Sequence, residues 1–230
     1  MGNRDILAIG TSAGGVEALT SLASGFQANL PASVLVTIHL PSRFTSSLDD
    51  ILSQAGPLSA AFATNGEVFR KARIYIAPPG RHLLVDGDRL SLGIGPRENN
   101  ARPAIDPMLR SAAVCCGYRT VGVVLTGALS DGASGLSALT LCGGITVVQD
   151  PNDAAFPEMP LTALNRASPD HVVHLDQMPA LLDRLVHQPA GEPVAASAAA
   201  RKAVEIARSG GAIMDRGLSG RRSVLYRRRG

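Results

Sequence analysis

The sequence has no tryptophan, only three cysteines, and few aromatic residues, which make up 3% of the chain. Two of the cysteines, Cys115 and Cys116, are adjacent, and all three stand in apolar surroundings. This arrangement provides no disulfide framework, and no Cys/His spacing resembles that of a zinc site. We therefore expect buried thiols in a reducing compartment, the cytoplasm, and we expect neither a metal nor a cofactor.

Long hydrophobic runs are also absent. No 18 consecutive residues are apolar, and the N-terminus lacks the charged region and apolar segment of a signal peptide. We therefore expect no transmembrane helix and no membrane insertion. What the chain does have is 45% apolar residues in a length of 230, enough for one substantial α/β domain with a short appendage.

Charge is distributed unevenly along the chain. From Ala200 onward, nine Arg or Lys and two acids give a net charge of +7, so the total of +3 leaves about −4 for the first 199 residues. We divide the chain into a core domain over residues 1–188 and a basic tail over residues 189–230. The tail is rich in Ala, Gly and Arg and is expected to be partly helical, over 195–208, and otherwise disordered. It has no aromatic platform, so nucleic-acid binding is not favoured.

Buried apolar runs alternate with helical patterns through the core domain. This order predicts an α/β fold with a doubly wound, mostly parallel sheet flanked by helices, and a small antiparallel hairpin. The predicted strands are residues 6–9, 34–38, 72–77, 121–125, 145–149 and 171–175, with the hairpin at 83–85 and 90–92. The first predicted helix begins at residue 16. The others span residues 44–54, 106–116, 133–141, 159–167 and 178–187.

The first predicted strand leads into the pattern Gly10-x-Ser12-x-Gly14, which has the spacing of a nucleophile elbow. Ser12 stands at the tip of this strand-to-helix turn, where open α/β sheets bind their ligands. A glycine-rich turn in this position is also typical of a phosphate-binding loop. However, the glycine spacing is not G-x-G-x-x-G, and no Gly-Lys-Ser/Thr follows.

Two further polar residues follow buried strands. His39 ends the second strand, and Asp131 follows residues 121–125 in a glycine-rich turn. Because the carboxyl ends of parallel strands lie on one edge, we expect Ser12, His39 and Asp131 to meet in one crevice. Asp131 would then accept the Nδ1–H of His39 and complete a nucleophile–base–orienter chain. The alternatives are a structural histidine packed under a loop and an aspartate that caps the following helix.

Other polar residues point more weakly to function. Asp106 is a rival to Asp131, although its position at a helix start favours a cap. His82 and Arg81 either line the crevice or cap local backbone. His171 and His174 flank an apolar pair and are interpreted as structural.

Four blocks of the sequence together indicate a family: residues 9–19, 38–41 with 44–45, 75–78 with 80–83, and 124–127 with 131–136, supported by 102–106 and 149–160. Through them, residues 4–187 resemble the catalytic domain of CheB-type chemotaxis protein-glutamate methylesterases. It makes residues 1–188 the methylesterase catalytic domain and assigns a Ser-His-Asp triad to Ser12, His39 and Asp131. It implies a serine carboxylesterase that hydrolyses glutamyl methyl esters on the helices of chemoreceptors and also deamidates glutamines.

The proposed oxyanion and site-lining residues are Thr11, Ala13, Gly127 and Ala128. Two departures from the family pattern bear on this site. The catalytic block starts at the first residues, so we expect the receiver domain that gates many members to be absent from this chain, with a regulatory partner chain in its place. The segment 128–130 is Ala-Leu-Ser, where the family usually has Met-Gly-Asn/Asp, which changes the loop before Asp131.

Two other function classes compete with the esterase. The changed loop and the missing receiver motivate a binding or scaffold domain that keeps the fold in a chemotaxis-like pathway without catalysis. A nucleotide-binding Rossmann protein is the third hypothesis, but neither the glycine spacing nor a ribose-binding acid supports it.

Overall fold

Seven parallel strands form the central sheet of the computed structural model, which describes residues 2–39 and 46–209. The sheet strands are β1 (Ile6–Thr11), β2 (Ser33–Ile38), β3 (Ser59–Phe62), β4 (Arg73–Ile76), β7 (Thr120–Val124), β8 (Ile145–Gln149) and β9 (His171–Val173). Their order is β3-β4-β2-β1-β7-β8-β9, and β5 (His82–Asp86) pairs with β6 (Arg89–Gly93) in a separate antiparallel hairpin.

Helices cover both faces of the sheet. They are α1 (Gly15–Ser24), α2 (Leu48–Ala55), α3 (Ile105–Cys116), α4 (Ala133–Leu141), α5 (Glu158–Ala167), α6 (Met178–Val186) and α7 (Ala198–Ser209). One hydrophobic cluster joins one face of the sheet to α1, α2 and α6, and a second joins the opposite face to α3, α4, α5 and the hairpin. The predicted doubly wound α/β fold is therefore confirmed.

Strand β1 occupies the centre because it is buried on both faces. All six of its residues are buried, with Leu7 and Ile9 in one hydrophobic cluster and Ile6 and Ala8 in the other. Its neighbours are β2 on one side and β7 on the other, both parallel to it. The chain runs from β1 to β2 on one side and returns later to β7 on the other, so the strand order reverses at β1. Such a reversal opens a crevice at the carboxyl ends of these three strands.

Several elements differ from their predictions, among them the tail helix predicted over 195–208, which spans Ala198–Ser209. The edge strand β3 was not predicted, because Ser59, Ala60 and Ala61 have little intrinsic strand preference and pairing with β4 supplies the order. Helix α2 begins at Leu48 rather than at residue 44, which lies outside the described residues, as does residue 45. Strand β9 ends at Val173 instead of residue 175, because a 3-10 turn starts at Leu175.

Helix α7 packs on the core. It contributes the buried Val204 and Ala207, and its last turn accepts hydrogen bonds from the backbone just after the hairpin, Ile94 N–H to Arg208 O and Gly95 N–H to Ala207 O. The predicted disorder beyond residue 209 lies outside the described residues. Among the helices that the structure describes, none has the length and apolar character needed to cross a membrane.

Candidate active site

Ser12 lies in the tight turn between β1 and α1. Its backbone N–H donates to the Thr126 carbonyl at 3.1 Å, and its own carbonyl accepts the Gly15 N–H at 3.0 Å. Gly14 precedes the helix with φ of 71°, a left-handed conformation that glycine adopts without steric cost. The serine backbone is therefore held from both sides of the turn.

His39 reaches Ser12 from the neighbouring strand. The last paired residues of β1 and β2 are Thr11 and Ile38, so the residues that follow them, Ser12 and His39, leave the sheet side by side. The distance from Ser12 Oγ to His39 Nδ1 is 3.0 Å, which is a hydrogen bond.

Asp131 contacts the other ring nitrogen of His39. The distance from Asp131 Oδ2 to His39 Nε2 is 2.7 Å, and the side chain of Asp131 is fully buried, whereas that of His39 is 22% exposed. The structure thus joins the three sequence-predicted residues in one hydrogen-bonded chain, with the serine and imidazole facing the crevice.

The charge state of Asp131 fixes the tautomer of His39. Burial alone would raise the pKa of Asp131, but hydrogen bonds from His39 and from the Ile105 and Asp106 N–H groups bring it below its usual value. An ionised carboxylate only accepts hydrogen bonds, so Nε2 carries the proton and Nδ1 is free to accept the serine O–H.

This order of ring nitrogens is the reverse of the sequence prediction, in which Asp131 accepts the Nδ1–H. The reason lies in the strand order. His39 follows β2, Ser12 follows the adjacent β1, and Asp131 follows β7 on the far side of β1. Nδ1, which is nearer the histidine backbone, meets the adjacent serine, while Nε2 reaches the more distant carboxylate.

Asp131 also caps a helix, but not the one that the sequence indicates. Its Oδ2 accepts the Ile105 N–H at 2.7 Å and its Oδ1 accepts the Asp106 N–H at 3.0 Å, which are orphan donors at the start of α3. Helix α4, which follows Asp131 in sequence, is instead capped from α3, because Asp106 Oδ1 accepts the Gly135 N–H at 2.7 Å. The two helix starts are thus capped reciprocally.

The candidate oxyanion residues divide into two groups. The Gly127 N–H is already bonded to the Phe156 carbonyl at 2.9 Å, and the buried Thr11 hydroxyl donates to the Thr126 carbonyl at 2.8 Å. By contrast, the N–H groups of Ala13 and Ala128 donate to no acceptor within residues 2–39 and 46–209. Of the four residues, only these two retain backbone donors for a ligand.

The loop before Asp131 is held in an unusual conformation. Leu129 has φ of 68° and a side chain that is 62% exposed, so a branched residue occupies a left-handed position there. Its N–H donates to the Glu158 carboxylate at 3.0 Å, which ties the loop to the start of α5. Leu129 therefore occupies a backbone conformation that glycine adopts more easily.

Other polar residues near the crevice have structural contacts. His82 is buried, accepts the Ala104 N–H at Nδ1 and donates from Nε2 to the Pro96 carbonyl. Burial lowers its pKa, so it is a neutral backbone bridge, while Arg81 is exposed. Within the described part of the chain, no three His, Cys, Asp or Glu side chains are grouped so that they could hold a metal ion.

Sequence reasoning missed two side chains at this site. Asn99, interpreted only as part of a polar loop, donates to both Asp131 and Asp106. Glu158, at the start of α5, accepts from the Leu129 loop. The one signal in the sequence was the residue type, because asparagine is enriched at left-handed backbone positions. The structure places Asn99 at such a position, with φ of 48°.

Comparison with known proteins gives consistent results. The family model described as CheB methylesterase matches residues 7–182. A relative from Leptospira interrogans is 34% identical over 184 residues, which covers 80% of this chain and 95% of that protein. A Methanosarcina mazei protein named protein-glutamate methylesterase/protein-glutamine glutaminase 2 is 35% identical, covering 76% of this chain and 50% of its own length.

A solved structure is also similar. The crystal structure of the Thermotoga maritima CheB methylesterase catalytic domain aligns with a TM-score of 0.76 and 30% identity, covering 81% of this chain and 100% of that one. The present chain spans about half the length of the Methanosarcina relative.

Proposed function

This chain belongs to the CheB methylesterase family, and we propose that it hydrolyses glutamyl methyl esters on the cytoplasmic helices of chemoreceptors and deamidates receptor glutamines. The observation that carries the proposal is the hydrogen-bonded chain from Ser12 Oγ through His39 to Asp131, at 3.0 and 2.7 Å. Its members have the nucleophile, base and orienter chemistry of a serine esterase.

Acylation begins with attack of Ser12 Oγ on the ester carbonyl carbon. His39 Nδ1 takes the hydroxyl proton, and the Asp131 carboxylate stabilises the resulting imidazolium through its bond to Nε2–H. The same proton then passes from Nδ1 to the leaving methoxide, and methanol departs. For a glutamine substrate the leaving group is ammonia.

The negative charge on the carbonyl oxygen needs donors, and the N–H groups of Ala13 and Ala128 are the ones that remain for it. Ala13 follows Ser12 in the elbow, and Ala128 follows Gly127, where a Cβ would lie 2.9 Å from Ser12 Cβ. The N–H of Gly127 itself is engaged. The loss of one such donor costs on the order of 10²–10³ in rate. Deacylation repeats the cycle with water as the nucleophile and His39 as the base.

The partner proposed for this site is a methylated receptor helix in the cytoplasm, so the chain acts there. We assign the catalytic domain to residues 1–188 and propose that a regulatory partner chain controls access to the site, with the basic tail after residue 189 as its contact.

Methanol release from methylated receptor tests the proposed activity. We expect Ser12→Ala to abolish release, because no other hydroxyl is hydrogen-bonded to His39 in the part of the chain that the structure describes. Ser130→Ala, which alters a serine of the neighbouring loop, is the control and is expected to keep activity. Full activity in Ser12→Ala would refute the assignment.

A fluorophosphonate probe separates the esterase from a non-catalytic scaffold. An activated serine reacts covalently with the probe, and we expect the label at Ser12. A folded protein that neither reacts with the probe nor releases methanol would favour the scaffold hypothesis.

A further inference from the structure

We propose that Asn99 is a positioning residue, whose side-chain amide orients the Asp131 carboxylate toward His39 by donating to Asp131 and Asp106 at once. The inference rests on the proposed function, because it concerns the residue that orients the proposed base. It assigns a role to a residue of the loop between β6 and α3.

The contacts of the Asn99 amide are specific. Its Nδ2 lies 2.8 Å from Asp131 Oδ1 and 3.1 Å from Asp106 Oδ2. A carboxamide NH₂ group has two hydrogens, so each carboxylate receives one. Among the side chains of residues 2–39 and 46–209, no other donates to both carboxylates.

A shared donor matters because two carboxylates face each other in a buried place. Asp106 is 5% exposed and Asp131 is 1% exposed. Burial and the charge of Asp131 raise the pKa of Asp106 to about 6, and the Asn99 hydrogen bond acts in the opposite direction. The amide therefore stabilises the state in which both groups are ionised.

The remaining charged groups around Asp106 do not replace this donor. Arg110, on the same helix, attracts the Asp106 charge but is paired through Nη2 with both oxygens of Glu98. His39 contacts Oδ2 of Asp131, whereas Asn99 contacts the other oxygen, Oδ1. Oδ1 also accepts the backbone N–H groups of Asp106 and Gly132. Among the side chains that the structure describes, Asn99 is the donor to Oδ1 and His39 is the donor to Oδ2.

The chain offers a matched control at the next residue. Asn99 and Asn100 have φ of 48° and 62°, so both occupy left-handed positions where asparagine is favoured. The Asn100 side chain makes no hydrogen bond within the described residues, and only its carbonyl accepts from Arg97. Alanine at either position has a similar backbone cost, but only Asn99→Ala removes the donor.

The experiment compares Asn99→Ala with Asn100→Ala in methyl-ester hydrolysis. We expect Asn99→Ala to lower kcat by about 10-fold or more with KM changed less than about twofold, as for the loss of a hydrogen bond to a charged group. The acidic limb of the pH profile of kcat/KM should move to higher pH, because the pKa of Asp106 rises without its donor. Asn100→Ala should match the wild type in both respects.

Two further variants test the charge argument. Asn99→Asp places a third carboxylate beside Asp106 and Asp131, so we expect a larger loss of kcat than for Asn99→Ala, whereas Asn100→Asp should have little effect. In an Asp106→Asn background only one carboxylate is left, and the shift of the acidic limb caused by Asn99→Ala should disappear.

A measurement without substrate keeps the two proposals separate. The Nε2–H of His39, bonded to Asp131, is expected as a low-field proton NMR signal in the wild type and in Asn100→Ala, and as a shifted or broadened one in Asn99→Ala. Failure of the wild type to hydrolyse any ester would overturn the proposed function alone, since the NMR comparison still decides the role of Asn99. If Asn99→Ala equals Asn100→Ala in the NMR signal, or in kcat and pH profile, Asn99 does not position Asp131.

Discussion

Replacing Gly127 by alanine tests how closely the two loops of the candidate site are packed. A Cβ at this position would lie 2.5 Å from Met159 Cε and 2.9 Å from Ser12 Cβ. The φ of Gly127 is outside the left-handed range, so alanine fits the backbone and the perturbation is purely steric.

The size of the effect follows from these distances. Non-bonded carbon atoms are normally about 3.5–4.0 Å apart, so Met159 Cε must move by about 1 Å and Ser12 Cβ by about 0.6 Å or more. The end of the methionine side chain can move, but the Ser12 backbone is held by the Thr126 carbonyl. A misplacement of about 1 Å in a reacting group can cost about 10²-fold in rate, and overpacking costs about 1–3 kcal/mol of stability.

The assay is kcat for methanol release, combined with urea unfolding. We expect Gly127→Ala to lose about 10–100-fold in kcat while remaining folded. Gly191→Ala is the control, because a Cβ there meets nothing within 4 Å. A folded Gly127→Ala protein with kcat within about twofold of the wild type would refute the steric argument.

Two further predictions concern stability. Leu129→Gly relieves a left-handed conformation that costs a residue other than glycine about 1–2 kcal/mol, whereas Ser130→Gly relieves no such conformation. Unfolding measurements should therefore show Leu129→Gly to be more stable than Ser130→Gly by about that amount. Equal stabilities would contradict this. Burial, together with the charge of Asp131, raises the pKa of Asp106 from the ordinary 3.8 of an aspartate to about 6. The raised value means that the folded state binds the proton more tightly, so the contribution of Asp106 to stability is greatest below pH 4 and declines as the pH rises through 6. The wild type should therefore lose about 2 kcal/mol relative to Asp106→Asn between pH 4 and 8, and a constant difference would be the contrary result.

The convergence of Ser12, His39 and Asp131 at one edge could be predicted from the sequence, because each follows a buried apolar strand. Continuous apolar strands separated by helices specify a parallel sheet, and a parallel sheet places all its strand ends on one edge. The sequence pattern thus predicts where Ser12, His39 and Asp131 lie. Their catalytic roles are a separate prediction, which Ser12→Ala and the fluorophosphonate probe test.

Contacts that depend on the spatial neighbours of loops could not be predicted in this way. Asn99 stands in a polar stretch with no periodicity, and its partner Asp131 is 32 residues away. The same limit applies to the helix caps. A sequence pattern assigns Asp131 to the helix that follows it, whereas the packing of α3 against α4 presents it with the start of α3.

The reversed ring nitrogens of His39 show what strand order adds to strand pattern. Three parallel strands place the side chains that follow them at one edge of the sheet. The sequence pattern does not show, however, which of the three strands lies between the other two. Once β1 is known to separate β2 from β7, the serine must be the near partner of a histidine on β2 and the aspartate the far one. Nδ1 then faces the serine and Nε2 the aspartate, so the hydrogen-bond order from Ser12 through His39 to Asp131 follows from the order of the strands in the sheet.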